Sequence, residues 1–416
     1  MGNKLITVWR TLGPGLMWAG TAVGVSHLVQ STRAGASYGL TLLWLVIVVH
    51  LVKWPAFEAG PRYVAATGQS LINSYRRQGW WALAVFGLQT VLTMAIVEAA
   101  VAMVTAGMAS TLLPVSLDVT VWSGLLLVSC WGLLAAGRFA SLDTLMKAMV
   151  TLLSVATLLA VTFSLGAADW SRVPVWPPLP PLEGVHIAFL AAFIGWMPAP
   201  FDTAVWQSQW SVAREAASGS RPWPIARRDF MVGYVGTAVL ALAFVTLGAV
   251  LLAGTGTELP AQAPAFAALL IDMYGDALGT WARPVLLVAA FMTMVSTTLA
   301  VTDGFPRALT GVILGEGSVD CWMSRRVYLG IAALLVGAAQ VIVVGFASNL
   351  TALVDLATTV SFVLTPVLAY LNLRAITGEE VEAGWRPTGW LLWWHILGIG
   401  ASAVFSVAWM WWRFAA

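Results

Sequence analysis

Charge is scarce in this chain. Asp, Glu, Lys and Arg make up 10% of its 416 residues, against about 25% in a soluble domain, which excludes a water-soluble globular fold. Cysteine is nearly absent. Cys130 falls inside an apolar run and Cys321 in a predicted loop, so neither a disulfide nor a cysteine metal cluster is expected. No Gly-rich loop ending in Gly-Lys-Ser or Gly-Lys-Thr occurs, which argues against ATP-driven work by this chain and against a bound cofactor. Net charge is only +2, and the basic residues follow loop topology, so no nucleic-acid partner is implied. Only Lys4 and Arg10 precede the first apolar segment, which continues into the fold, so no cleavable leader is expected.

What the chain has is length of apolar sequence. Hydrophobic residues make up 59%. The runs are far longer than the roughly ten-residue alternating strands of an outer-membrane barrel. An all-α membrane protein is predicted, one integral domain of about eleven spans. They fall near 12–30, 40–58, 81–111, 119–137, 146–167, 186–210, 231–253, 284–303, 328–346, 351–373 and 389–412. With the N-terminus placed inside, 16 basic residues fall on inner segments and four on outer ones, leaving Lys53 within span two. That bias predicts a multi-pass protein of the cell membrane with its N-terminus inside and its C-terminus outside. Lys53 is expected to snorkel to the interface or pair locally with His50 or Glu58. The Pro-rich stretch 173–181 reads as an extended outer cap and 257–280 as an outer amphipathic helix. The Trp residues clustered near the ends of span eleven read as interfacial anchors.

The chain is organised around Gly195-Trp196-Met197-Pro198-Ala199-Pro200-Phe201-Asp202, in the middle of span six. Two prolines one residue apart remove two backbone donors and block the carbonyls behind them. A helix entering here stops and restarts near Asp202, or else only kinks. A true break leaves orphan carbonyls and amides, tolerated at membrane depth only inside protein or along a cavity. Span one carries Gly13-Pro14-Gly15, Gly20 and Gly24-Val25-Ser26-His27, a second candidate break. Spans one and six are five apart. A 5+5 inverted repeat (12–167 and 186–373) plus one extra helix (389–412) predicts that spacing and brings His27 and Met197 together at the midplane.

Gly13-Pro14 with the broken first span, Ala34-Gly35-Ala36-Ser37-Tyr38-Gly39, Ala65-Ala66-Thr67-Gly68-Gln69-Ser70, Met197-Pro198 and Ser296-Thr297-Thr298 together resemble the NRAMP family of metal-ion transporters. The resemblance implies a LeuT-type fold with spans one and six discontinuous, and metal-ion transport without enzymatic activity. It places Met197 and Thr358 at the family's binding site, and Glu98 on its proton path. The departures are as informative. Where the family has Asp-Pro-Gly-Asn, this chain has Gly24, Val25, Ser26 and His27. Where it has two histidines after the span-six methionine, this chain has Ala199 and Ala204. Thr358 stands at a glutamine position.

A divalent ion leaving water needs compensating ligands, usually with at least one anion. With glycine at 24, the nearest acid is Asp202. His27, Met197 and Asp202, with carbonyls around Gly24 and Ile194, are the candidate metal ligands. Each has a plainer role: Asp202 as a helix cap, His27 as a partner for a freed carbonyl, Met197 as core packing. Glu98, mid-span, is a proton carrier or a partner for neighbouring backbone. Trp196 and Trp206 flank the break and offer cation–π faces. They motivate the alternative of a small organic cation, amino acid or other zwitterion as cargo. A third possibility is a non-transporting sensor of the same fold.

Overall fold

The structure is a computed structural model describing residues 13–113, 115–137, 139–173, 184–219, 222–257, 259–316 and 322–415. The Pro-rich stretch beyond Val173, together with Cys321, lies outside them. The described residues are helical almost throughout. Among them seven helices are long and apolar enough to cross a membrane, and Leu350–Val363 with Thr365–Thr377, bent by 44°, forms an eighth crossing. The other three spans are Val119–Ala135 and two interrupted segments.

Span one runs as Pro14–Ala22, a break at 23–25, a π-helical stretch Ser26–Ser31 and a last helix Thr32–Tyr38. It reaches eight residues beyond the predicted end, because the π-helix carries the chain past Gln30. Span two is Leu43–Thr67 and ends on Gly68 at φ 69°, the left-handed conformation that closes a helix. The short helix Leu71–Gln78 is capped by Ser70. Spans three to five are Trp80–Leu112, Val119–Ala135 and Phe139–Ala167, span four being capped by Asp118. Span six is Gly184–Gly195 and Asp202–Ser218, and span seven is Trp223–Leu252. The predicted amphipathic helix appears as Ala263–Leu278, its Phe266, Leu270 and Tyr274 buried and Asp272 and Asp276 outward, both facing Arg283. Spans eight, nine and eleven are Ala282–Leu314, Trp322–Phe346 and Trp390–Ala415.

Helix pairing repeats under a shift of five spans. Span one packs on seven as span six packs on two; the first half of span one rests on five as that of span six rests on ten; spans three and eight form the central pair. This is the LeuT-type inverted repeat. Spans one and seven cross through glycine, since a Cβ on Gly15 or Gly233 would strike the partner's backbone, as would one on Gly35 or Gly248. The Asp229 carboxylate of span seven also accepts from the amides of Gly13 (2.9 Å) and Gly15 (3.0 Å), satisfying orphan donors at the start of span one.

Candidate functional site

Both interruptions are real breaks. In span one the ladder fails at Val23-Gly24, and Gly24 faces span eight so closely that a Cβ would press on Thr297. The Thr297 hydroxyl donates to Gly20 carbonyl at 3.2 Å, recovering one of the acceptors near the break. In span six, helix stops at Gly195 and restarts at Asp202, with a cis Met197-Pro198 bond between. Gly195 lies against the Thr358 carbonyl of span ten, leaving no space for a side chain. The Thr358 hydroxyl itself turns back to its own helix, at Val354 (2.8 Å) and Asp355 (3.1 Å) carbonyls.

The orphan carbonyls of span six have an unexpected partner. Lys53 is buried, and its Nζ donates to the carbonyls of Ile194 (2.6 Å), Gly195 (3.2 Å) and Met197 (2.9 Å). The lysine does not snorkel, because three carbonyls of the break lie within its reach. Nor does it pair with Glu58, whose carboxylate holds Arg62 (3.0 Å) and Arg227 (3.2 Å), or with His50, which bonds Val46 carbonyl. A charge in the middle of an apolar span was the available signal.

The three candidate metal side chains sit in different surroundings. Among the described residues no group of three or more His, Cys, Asp and Glu is placed to hold a metal. His27 is fully buried with both ring nitrogens engaged, by Ser26 Oγ (2.8 Å) and Thr237 carbonyl (3.0 Å). Met197 packs in an apolar cluster with Val46, Val49, Phe189 and Phe193. Asp202 is buried at the first position of its half-helix and makes no side-chain cap; Phe201 precedes it there. Its Oδ1 accepts from Gln89 at 3.3 Å, while Oδ2 has no partner. Glu98 is buried on span three; Oε1 accepts from Thr302 of span eight (2.8 Å) and Oε2 has no partner.

Between the two breaks is a small cavity of about 20 Å³, lined by Thr21, Ser26, Thr203 and Thr297, by Trp196, Pro200 and Trp206, and by the aliphatic Ala22, Val25, Val97, Val101 and Val301. The indole nitrogens of Trp196 and Trp206 are buried without partners. Trp206 stands edge-on to Phe305 at 4.6 Å and covers Gly304.

Both ends are closed. On the far side from the start of span one, Arg33 forks onto Asp355 (2.7 and 3.1 Å), and Tyr38 meets His186 (2.9 Å). On the near side the closure is layered. Trp18 Nε1 donates to Thr203 (2.9 Å). Asp303 holds Arg307, Tyr328 and Trp210, and Glu316 holds Ser70, Asn73 and Gln209.

Residues 15–412 match the profile of the natural resistance-associated macrophage protein-like family. An uncharacterised protein of Pasteurella multocida (strain Pm70) is 33% identical over 403 residues, covering 94% of this chain and 89% of that protein. Among solved structures, the Eremococcus coleocola manganese transporter, with an aromatic bis-isothiourea compound bound, superposes with a TM-score of 0.73 at 14% identity, over 97% of this chain and 86% of that one. MhsT in complex with L-phenylalanine superposes at 0.64 and 14%, over 96% and 97%. At such identities these two show the shared fold alone. The profile covering nearly the whole chain and the one-third-identical relative show the family: this chain belongs to the natural resistance-associated macrophage protein-like (Nramp) family, whose members are membrane metal-ion transporters and not enzymes.

Proposed function

We propose that the chain is a secondary transporter that carries a divalent transition-metal ion by alternating access, with the cargo held between the breaks of spans one and six. The cavity carries this reading. Its volume of about 20 Å³ is close to that of a single water, which suits one dehydrated ion. Thr21, Ser26, Thr203 and Thr297 are its polar aliphatic lining residues, their hydroxyls bonded to nearby backbone carbonyls. Asp202 does not itself line the cavity; it precedes the lining residue Thr203 and supplies the negative charge from there, as the one named ligand whose buried oxygen is unpartnered. Met197 and His27 hold the walls, through apolar packing and the Ser26–Thr237 bonds. Glu98 moves the coupled proton through its free Oε2, its Oε1 being held by Thr302 of span eight. The 16-to-4 distribution of basic residues supports a cytoplasmic near side.

The test is manganese uptake into proteoliposomes. Asp202→Ala is expected to reduce uptake at least about 100-fold, the loss that follows when a desolvated ion gives up its anionic ligand. Wild-type vesicles that take up no divalent metal would sink the reading. The lysine ammonium over the span-six carbonyls, with Gly24 where the resembled family has an acid, favours a second reading: a small organic cargo recognised without a metal ligand set. Under that reading calorimetry with divalent metals gives no heat above buffer, while an amino acid or amine raises the melting temperature.

A further inference from the structure

We propose that the Lys53 ammonium is a tethered co-ion: it fills, from within the chain, a monovalent-cation site made by the carbonyls of Ile194, Gly195 and Met197. Three acceptors at 2.6, 3.2 and 2.9 Å surround one nitrogen. An ammonium has three N–H donors and no lone pair, so it satisfies all three. A neutral amine has two donors and would turn its lone pair on the third carbonyl. The carbonyls lie at the end of the first half-helix and in the break after it, and that of Ile194 also accepts from the Met197 amide at 3.3 Å. Pro198 has no N–H to offer, and a helix C-terminus favours positive charge. Among the described residues no carboxylate lies within ion-pair distance of Lys53. Its charge is therefore balanced by backbone dipoles and by the Phe201 ring, 5.7 Å away. This is the environment of a dehydrated alkali ion, with a side chain in the ion's place.

The inference stands whether the cargo is a metal or an organic molecule. If a metal is carried, it takes its ligands from the cavity side of the break, because a divalent ion and an ammonium cannot share one set of carbonyls. The test uses purified full-length protein without cargo. The wild type should melt at the same temperature in sodium, potassium, rubidium or N-methylglucamine. Lys53→Ala should melt about 5–10 °C lower. It should also become cation-dependent, with methylammonium restoring at least half of the loss and N-methylglucamine none. Lys53→Ala as stable as wild type and indifferent to small cations would overturn the proposal. So would a wild type that already needs an alkali ion to the same degree. If Lys53→Ala does not fold, Lys53→Arg folding where Lys53→Met does not supports the proposal, and any other pattern overturns it. Metal uptake plays no part in these readouts, so failure of the metal reading leaves them interpretable.

Discussion

At the scale of residues, the site depends on where side chains are missing as much as on where they are present. Gly195 lets span six close on the Thr358 carbonyl. Gly195→Ala should therefore cost about 1–3 kcal/mol through overpacking, read as a lower melting temperature in detergent. Glu98 is legible in the sequence as an acid in an apolar span, and its free Oε2 fits the proton role. Glu98→Gln keeps the Thr302 contact and removes the titrating group. It should abolish the acidification that accompanies cargo entry while leaving the protein folded; unchanged acidification would remove Glu98 from the path. The sequence names His27, Met197 and Asp202 as candidates but cannot say where they point. A histidine with a serine before it and a carbonyl across from it satisfies itself, and only the packing of span seven reveals that. Lys53 is the converse: conspicuous in the sequence, and assigned to the interface because its distant partners, 141 to 144 residues away, have no local signature.

At the scale of elements, the two breaks were readable because proline and glycine act locally. Pro198 and Pro200 remove donors in span six, and Gly24 weakens span one. The bend in span ten was not anticipated. It lies at Leu364, between two helices, the second with Pro366 in its first turn, so the same proline rule would have found it. The π-helix of span one has no comparable sequence signal. The glycine crossings imply that the first half of span one travels with span seven. Gly233→Val should push them apart and lower transport at least about tenfold. Gly236→Val, on the same helix with open space around its Cβ, should be tolerated. Equal effects from the two would mean that the crossing is not the cause.

At the scale of the whole molecule, eleven spans and their repeat followed from hydropathy and from the spacing of the breaks, because membrane thickness and backbone satisfaction leave few alternatives. Sidedness is checked by labelling: Thr280→Cys should react with an impermeant maleimide on intact cells, and Glu382→Cys only after permeabilisation. The two closures differ in kind. Arg33–Asp355 is a single, partly wet ion pair, worth about 1 kcal/mol or less. Arg33→Ala should thus speed far-side labelling of Ser26→Cys about fivefold; an unchanged rate would show that the pair does not hold the entrance shut.

The unequal locks also have a temporal consequence. A door held by two partly wet latches opens often and briefly, whereas one held by an interlocked stack waits until several bolts slide together. An unloaded carrier built this way samples the Arg33 vestibule by preference, so whichever compartment that vestibule faces sets the concentration the protein reads first.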